Sequence, residues 1–101
     1  MKVRILSCAE AEMAAAVDYY NEQYPGLGYD LAAEARECLR RIAAYPDAWP
    51  HFIDTTRRCL LNRFPYAMIY RHTDKEIVVY AFMHLRQNPQ KWQKLVKSED
   101  D

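Results

Sequence analysis

The sequence predicts an α+β domain in the order β-α-α-β-β-β, a helical hairpin packed on a small antiparallel sheet. Three observations predict it. Between Ser7 and Tyr45, apolar residues recur at spacings of three and four, in two stretches parted by Pro25-Gly26-Leu27-Gly28. From Arg57 to His84 that period gives way to runs rich in aromatic and β-branched residues, the texture of strands. The helical stretches come as one pair and these strands as one meander, which separates α+β from alternating α/β architectures.

Each element has its own signals. Val3-Arg4-Ile5-Leu6 is a short strand candidate. Ser7, with Glu10 three residues later, has the pattern of a capping box and predicts a helix to about Tyr24. Met13, Val17, Tyr20 and Tyr24 share one face of it, and Ala14 to Ala16 add helix propensity. Pro25 opposes continuation, and the following glycines permit positive φ. A second helix is predicted over roughly Tyr29 to Ala44, with Leu31, Ala35, Cys38, Ile42 and Tyr45 as its apolar face, and Pro46 ends it. A short turn between helices of similar length predicts an antiparallel pair.

Residues 49–53 read as loop or edge strand. Arg57 to Phe64 is a strand candidate, interrupted by Pro65, and Tyr66 to His72 is the next. Thr73-Asp74-Lys75 is a turn. Glu76 to His84 is apolar on both faces, as a central strand is. Asn88-Pro89 breaks the chain again, and one or two helical turns are expected before Lys97. The domain is therefore 1–97, followed by an acidic, disordered tail at 98–101. The hairpin is expected to cover one sheet face and leave the other open for binding.

Composition narrows the function class. A chain of 101 residues, 50% hydrophobic with 2 glycines and 5 prolines, buries one modest core. No apolar run approaches the roughly 18–20 residues that span a bilayer, and the N-terminal apolar stretch is too short for a signal peptide. A cytoplasmic protein with no membrane association is expected. Cys8, Cys38 and Cys59 are widely spaced with no CxxC, which predicts reduced, half-buried thiols and no metal site.

The formal net charge of +0 hides an asymmetry. Residues 56–97 carry nine basic residues (Arg57, Arg58, Arg63, Arg71, Lys75, Arg86, Lys91, Lys94, Lys97) against Asp74 and Glu76, a balance of +7. Residues 1–55 carry −4 and Glu99–Asp101 carry −3. A basic half on a neutral chain points one surface at an anionic partner.

Four segments resemble the small toxins of the RelE/ParE superfamily, including its plasmid-stabilisation type. They are the turn Pro25–Gly28; the helix end Ile42-Ala43-Ala44-Tyr45-Pro46; the strand–turn–strand run from Arg58 to Tyr70; and the run from Ile77 to Pro89 followed by Trp92. Together they cover about Arg4 to Trp92. The resemblance implies a toxin that inhibits growth and is neutralised by a cognate antitoxin encoded beside it, with no cofactor. RelE-like members cut messenger RNA in the ribosome, whereas ParE-like members poison DNA gyrase.

Metal-free RNA cleavage needs a base, a cation for the phosphate and an acid for the leaving oxygen. The candidates are Arg63, Tyr70, His84 and Arg86, with Arg57, Arg58, Arg71 and Trp92 as binding residues. Tyr66, Met68 and Tyr70 are expected on one strand face, with Ala67, Ile69 and Arg71 on the other. Val78, Tyr80, Phe82 and His84 are expected to share a face of the last strand. His51 and His72 sit in loop-like contexts and read as incidental.

The strand 57–64 lacks the lysines that RelE-like nucleases share. The pattern His84-x-Arg86-x-x-Pro89-x-x-Trp92 is more similar to ParE-like and unassigned members. The sequence therefore favours binding to a host target such as gyrase, with a ribosome-dependent endoribonuclease as the alternative. A third alternative is a degenerate toxin that binds only its antitoxin or a second copy of itself as a homodimer.

Overall fold

A computed structural model describes residues 2–100. Strand β1 (Lys2–Ile5) leads into helix α1 (Ser7–Gln23) and helix α2 (Leu27–Ala44). The meander β2 (Arg57–Leu60), β3 (Tyr66–His72) and β4 (Glu76–His84) follows, and helix α3 (Gln90–Asp100) closes the chain. The sheet order is β1-β4-β3-β2. The meander is antiparallel as predicted, with Tyr66 opposite His84 and Arg57 opposite Tyr70. β1 joins it parallel to β4, with Val3 opposite Ile77, so the sheet is mixed. The long return through the hairpin permits that parallel pairing.

The turn between α1 and α2 explains its two glycines. Gly26 caps α2 at φ 92, a left-handed conformation that costs glycine little. Gly28 lies inside α2, where a Cβ would collide with the Val17 carbonyl and the Asn21 side chain. The helices cross against that bare backbone. Asn21 Oδ1 accepts the Gly28 N–H at 2.7 Å, supplying a partner that the first turn of α2 otherwise lacks.

The helical faces follow the predicted period up to the caps. Ala9 and Ala16 of α1 are buried, as are Leu31, Ala35, Cys38 and Ile42 of α2. Met13, Val17 and Tyr20 pack against the same cluster. Tyr24 and Tyr45 depart from it and are exposed, because each is a cap residue that has left helical φ and ψ. The predicted capping box is also corrected. The N-cap is Leu6 with extended backbone, which places Ser7 inside the first turn. α2 begins at Leu27, two residues before the predicted start, because Gly26 supplies the turn by itself.

Two strand expectations change. β2 ends at Leu60 rather than Phe64. Leu61 N–H bonds back to Tyr66 O, and Leu61 and Phe64 fold into the core. β4 carries a register shift: Ile69 faces Ala81 and Tyr70 faces Val79, which leaves Tyr80 as an extra residue. A bulge inverts the alternation beyond it. Ile77, Val79 and Phe82 therefore pack under the hairpin, while Val78, Tyr80, Ala81 and Met83 face the other way. The predicted face of Val78, Tyr80, Phe82 and His84 is thus split. On β3, Tyr66, Met68 and Tyr70 do share the hairpin face, opposite Ala67 and Ile69.

The second sheet face is not open. α3 runs for 11 residues, longer than predicted, and lays Trp92 and Val96 over Leu6, Ile69 and Met83. Trp92 Nε1 donates to Met83 Sδ at 3.2 Å. Phe52 and Ile53 cover the flank. An apolar face of that size needs a cover, and the amphipathic segment after Pro89 supplies it. Of the predicted acidic tail 98–101, Asp101 lies outside the described residues.

Candidate functional site

The candidate residues fall at two ends of the sheet and on its second face. At the first end, where β3 starts and β4 stops, Tyr66 sits opposite His84. The Tyr66 ring stacks on Phe82 at 4.8 Å and meets the edges of His84 at 5.2 Å and Tyr20 at 6.3 Å. Burial raises the Tyr66 phenol above its usual range, and the nearby Tyr20 and Glu12 add to the rise. His84 Nδ1 accepts the Arg86 N–H at 3.1 Å, which places the ring proton of neutral His84 on Nε2. Arg86 is exposed and its side chain has no partner among the described residues.

Arg63 lies on the turn beside this end, since Leu85 N–H reaches Pro65 O at 2.9 Å. Its guanidinium is engaged elsewhere: Nε holds Glu34 Oε2 of α2 at 2.8 Å. The backbone N–H groups of Asn62 and Arg63 both donate to Glu34 Oε1. Burial alone would raise the Glu34 carboxyl. The hydrogen bonds and charge from Arg63, with the Asn62 N–H, outweigh it and hold the carboxyl below its ordinary value. Arg63 therefore fastens the 61–65 turn to the hairpin.

At the other end lies a latch that sequence reasoning missed. Tyr70 is fully buried and its hydroxyl donates to Pro46 O at 2.6 Å. Arg57, opposite Tyr70, donates to the carbonyls of Asp47 (3.1 Å) and Trp49 (2.7 Å). His72 Nε2 meets Asp47 Oδ1 at 2.7 Å. These contacts pin the connection after α2 to the sheet edge. His72, expected to be incidental, ends β3. The available signal was its spacing of two from Tyr70, which puts both on one strand face.

Arg58 and Arg71 follow the opposite strand phase. Arg58 lies over the Phe52 ring at 5.0 Å and Arg71 over the Tyr80 ring at 5.6 Å. Neither has a carboxylate partner among the described residues, and Arg71 Nε is buried without an acceptor. Trp92 is buried as a packing residue, so its indole is not available as a binding platform.

The four nuclease candidates are therefore not one cluster. Tyr70 lies four residues along β3 from the Tyr66–His84 pair, roughly 13 Å at 3.3–3.4 Å per residue. Its hydroxyl is already used. Only His84 and Arg86, joined by Tyr66, remain together. An apolar groove of about 260 Å³ opens between the helices, walled by Met13, Val17, Leu31, Ala35 and Leu39, with Phe82 of β4 at its base.

A helical hairpin on a four-stranded sheet in this order is the RelE/ParE-like fold that the sequence resemblance implied. The chain is similar in structure to a chain of the chromosomal ParDE toxin–antitoxin system from P. aeruginosa. The TM-score is 0.74 at 19% identity, over 83% of this chain and 95% of that one. No family model matches the sequence, and no curated protein matches it.

Proposed function

We infer that this chain is the toxin of a type II toxin–antitoxin pair and that it acts by binding a host target, DNA gyrase, without catalysis. The observation that carries the reading is the superposition on the ParDE chain, which spans 83% of this chain and 95% of that one. The dispersal of the nuclease candidates supports the non-catalytic form, since RNA cleavage needs its base, acid and cation within reach of one phosphodiester. Tyr70 and Arg63 are committed to structural bonds.

Two surfaces support a place for the antitoxin. The groove between α1 and α2 takes an apolar segment that folds on binding. Arg58 and Arg71, stacked on rings and lacking acidic partners among the described residues, take its carboxylates. Hydrogen exchange on the chain with its co-purified partner tests this, with slowing expected at the groove and across residues 57–92. Unchanged exchange at 57–92 removes the sheet-side half of the proposal.

The target is tested with purified components. The chain is expected to inhibit gyrase supercoiling and to leave messenger RNA intact in a translating extract. Cleaved message with unaffected gyrase would establish the endoribonuclease instead, with His84 and Arg86 as its first candidates.

A further inference from the structure

We propose that Cys38 and Cys59 form a reversible dithiol–disulfide couple, a modification site that locks α2 to β2 when a peroxide reaches the core. Cys38 lies on the buried face of α2 and Cys59 in the middle of β2, and both side chains are fully buried. Their sulfurs are 3.0 Å apart, with the Cys38 thiol donating toward Cys59 Sγ. A disulfide bond is about 2.0 Å long, so closure needs an approach of roughly one ångström, within reach of small side-chain rotations. Cys8 cannot compete. It packs with the cluster on the opposite sheet face, and its thiol donates to Tyr80 O.

The pair is electrostatically asymmetric. The hydrogen bond from Cys38 favours the Cys59 thiolate, against the cost of burial and with help from the Arg41 guanidinium. The same hydrogen bond and burial push the Cys38 thiol up. Cys59 is therefore the first nucleophile. Its thiolate attacks one peroxide oxygen; an S–O bond forms, the O–O bond breaks, and the departing hydroxide takes up a proton. The Cys38 sulfur then attacks the sulfenic sulfur; the S–S bond forms, the S–O bond breaks, and water leaves with the Cys38 proton. The two sulfurs give up two electrons and hydrogen peroxide takes them, yielding one disulfide and two waters.

Access comes through β2, a four-residue strand at the end of the sheet order, held on its outer side by the bond from Arg58 N–H to Pro50 O and the His51–Arg57 bridge. Short edge strands open locally at low cost. Once formed, the bond closes the stretch from Cys38 to Cys59, which contains the irregular connection after α2. The lock thereby restrains the least regular part of the chain.

The test uses the whole purified chain and hydrogen peroxide. After oxidation, free thiols are alkylated in denaturant and the digest is analysed by mass spectrometry. The proposal expects the Cys38 and Cys59 peptides joined and Cys8 alkylated. It also expects a melting temperature raised by about 5 °C or more and restored by dithiothreitol. Alkylation of both Cys38 and Cys59 after oxidation overturns it. So does a cross-link through Cys8 or to a second chain. Cys59→Ser is expected to abolish the thermal shift, and a shift that survives it contradicts the proposal. If Cys59→Ser does not fold, the peptide map of the unaltered chain decides alone.

Discussion

At the residue scale, polar side chains here are mostly committed to positioning. Tyr70 shows it best. It is the largest fully buried side chain, and its one polar atom reaches the Pro46 carbonyl. Tyr70→Phe leaves that carbonyl unpaired and is expected to cost about 1–2 kcal/mol in urea unfolding, with growth inhibition intact wherever the variant is folded. Loss of inhibition by a folded Tyr70→Phe protein would return Tyr70 to the functional site. Glu34 gives a pH signature. Its folded carboxyl is held below the ordinary value near 4.3, so the Arg63 clasp contributes stability above that value and loses it as pH falls through the lower folded one. Between these two values, stability is expected to fall with pH, and Glu34→Gln to flatten the fall. An identical acid limb in Glu34→Gln would assign it to other carboxylates.

At the element scale, close contact between α1 and α2 rests on a missing side chain. Gly28→Ala drives a methyl into the Val17 carbonyl, a backbone atom that cannot swing aside, and is expected to destabilise the fold by ~2 kcal/mol or more. A denaturation midpoint unchanged from the parent would show that the helices part without cost. α3 depends on Trp92, which packs on the second sheet face and donates to Met83 Sδ. Trp92→Ala is expected to cost about 3 kcal/mol, lower helical circular dichroism and expose a dye-binding apolar face. Full retention of helical signal would contradict that anchoring.

The elements that the sequence made legible are those with a long, regular pattern. The period of α1 and α2, the Pro25–Gly28 turn and the extents of β3 and β4 all lie in local residue order. What the sequence hid depends on residues far apart in the chain. β2 stops early because Asn62 and Arg63 find Glu34, and no local signal encodes that partner. The bulge at Tyr80 is invisible in an unbroken apolar run, so Phe82 and His84 lie on the face opposite to Val78 and Tyr80 rather than beside them. The latch of Asp47, Arg57 and His72 joins three segments that only the folded sheet edge brings together. At the candidate site, the separation of Tyr70 from His84 follows from strand register.

At the scale of the whole molecule, the arrangement is a hairpin on one face of the sheet and a lighter cover on the other. The charge division follows from that order. The acidic half of the sequence supplies the hairpin, and the basic half supplies β2 to β4 and α3. A partner that spans both surfaces meets an apolar groove and then the ring-stacked arginines Arg58 and Arg71, which suits a segment with apolar and acidic stretches. The proposed function has the free chain arrest growth by binding a replication target. It is tested most directly by inducing the chain in bacteria and following labelled thymidine, uridine and methionine incorporation beside an SOS reporter. Thymidine incorporation is expected to fail first, with SOS induction and intact messages. Methionine incorporation failing first with cleaved messages, or no arrest at all, would contradict it.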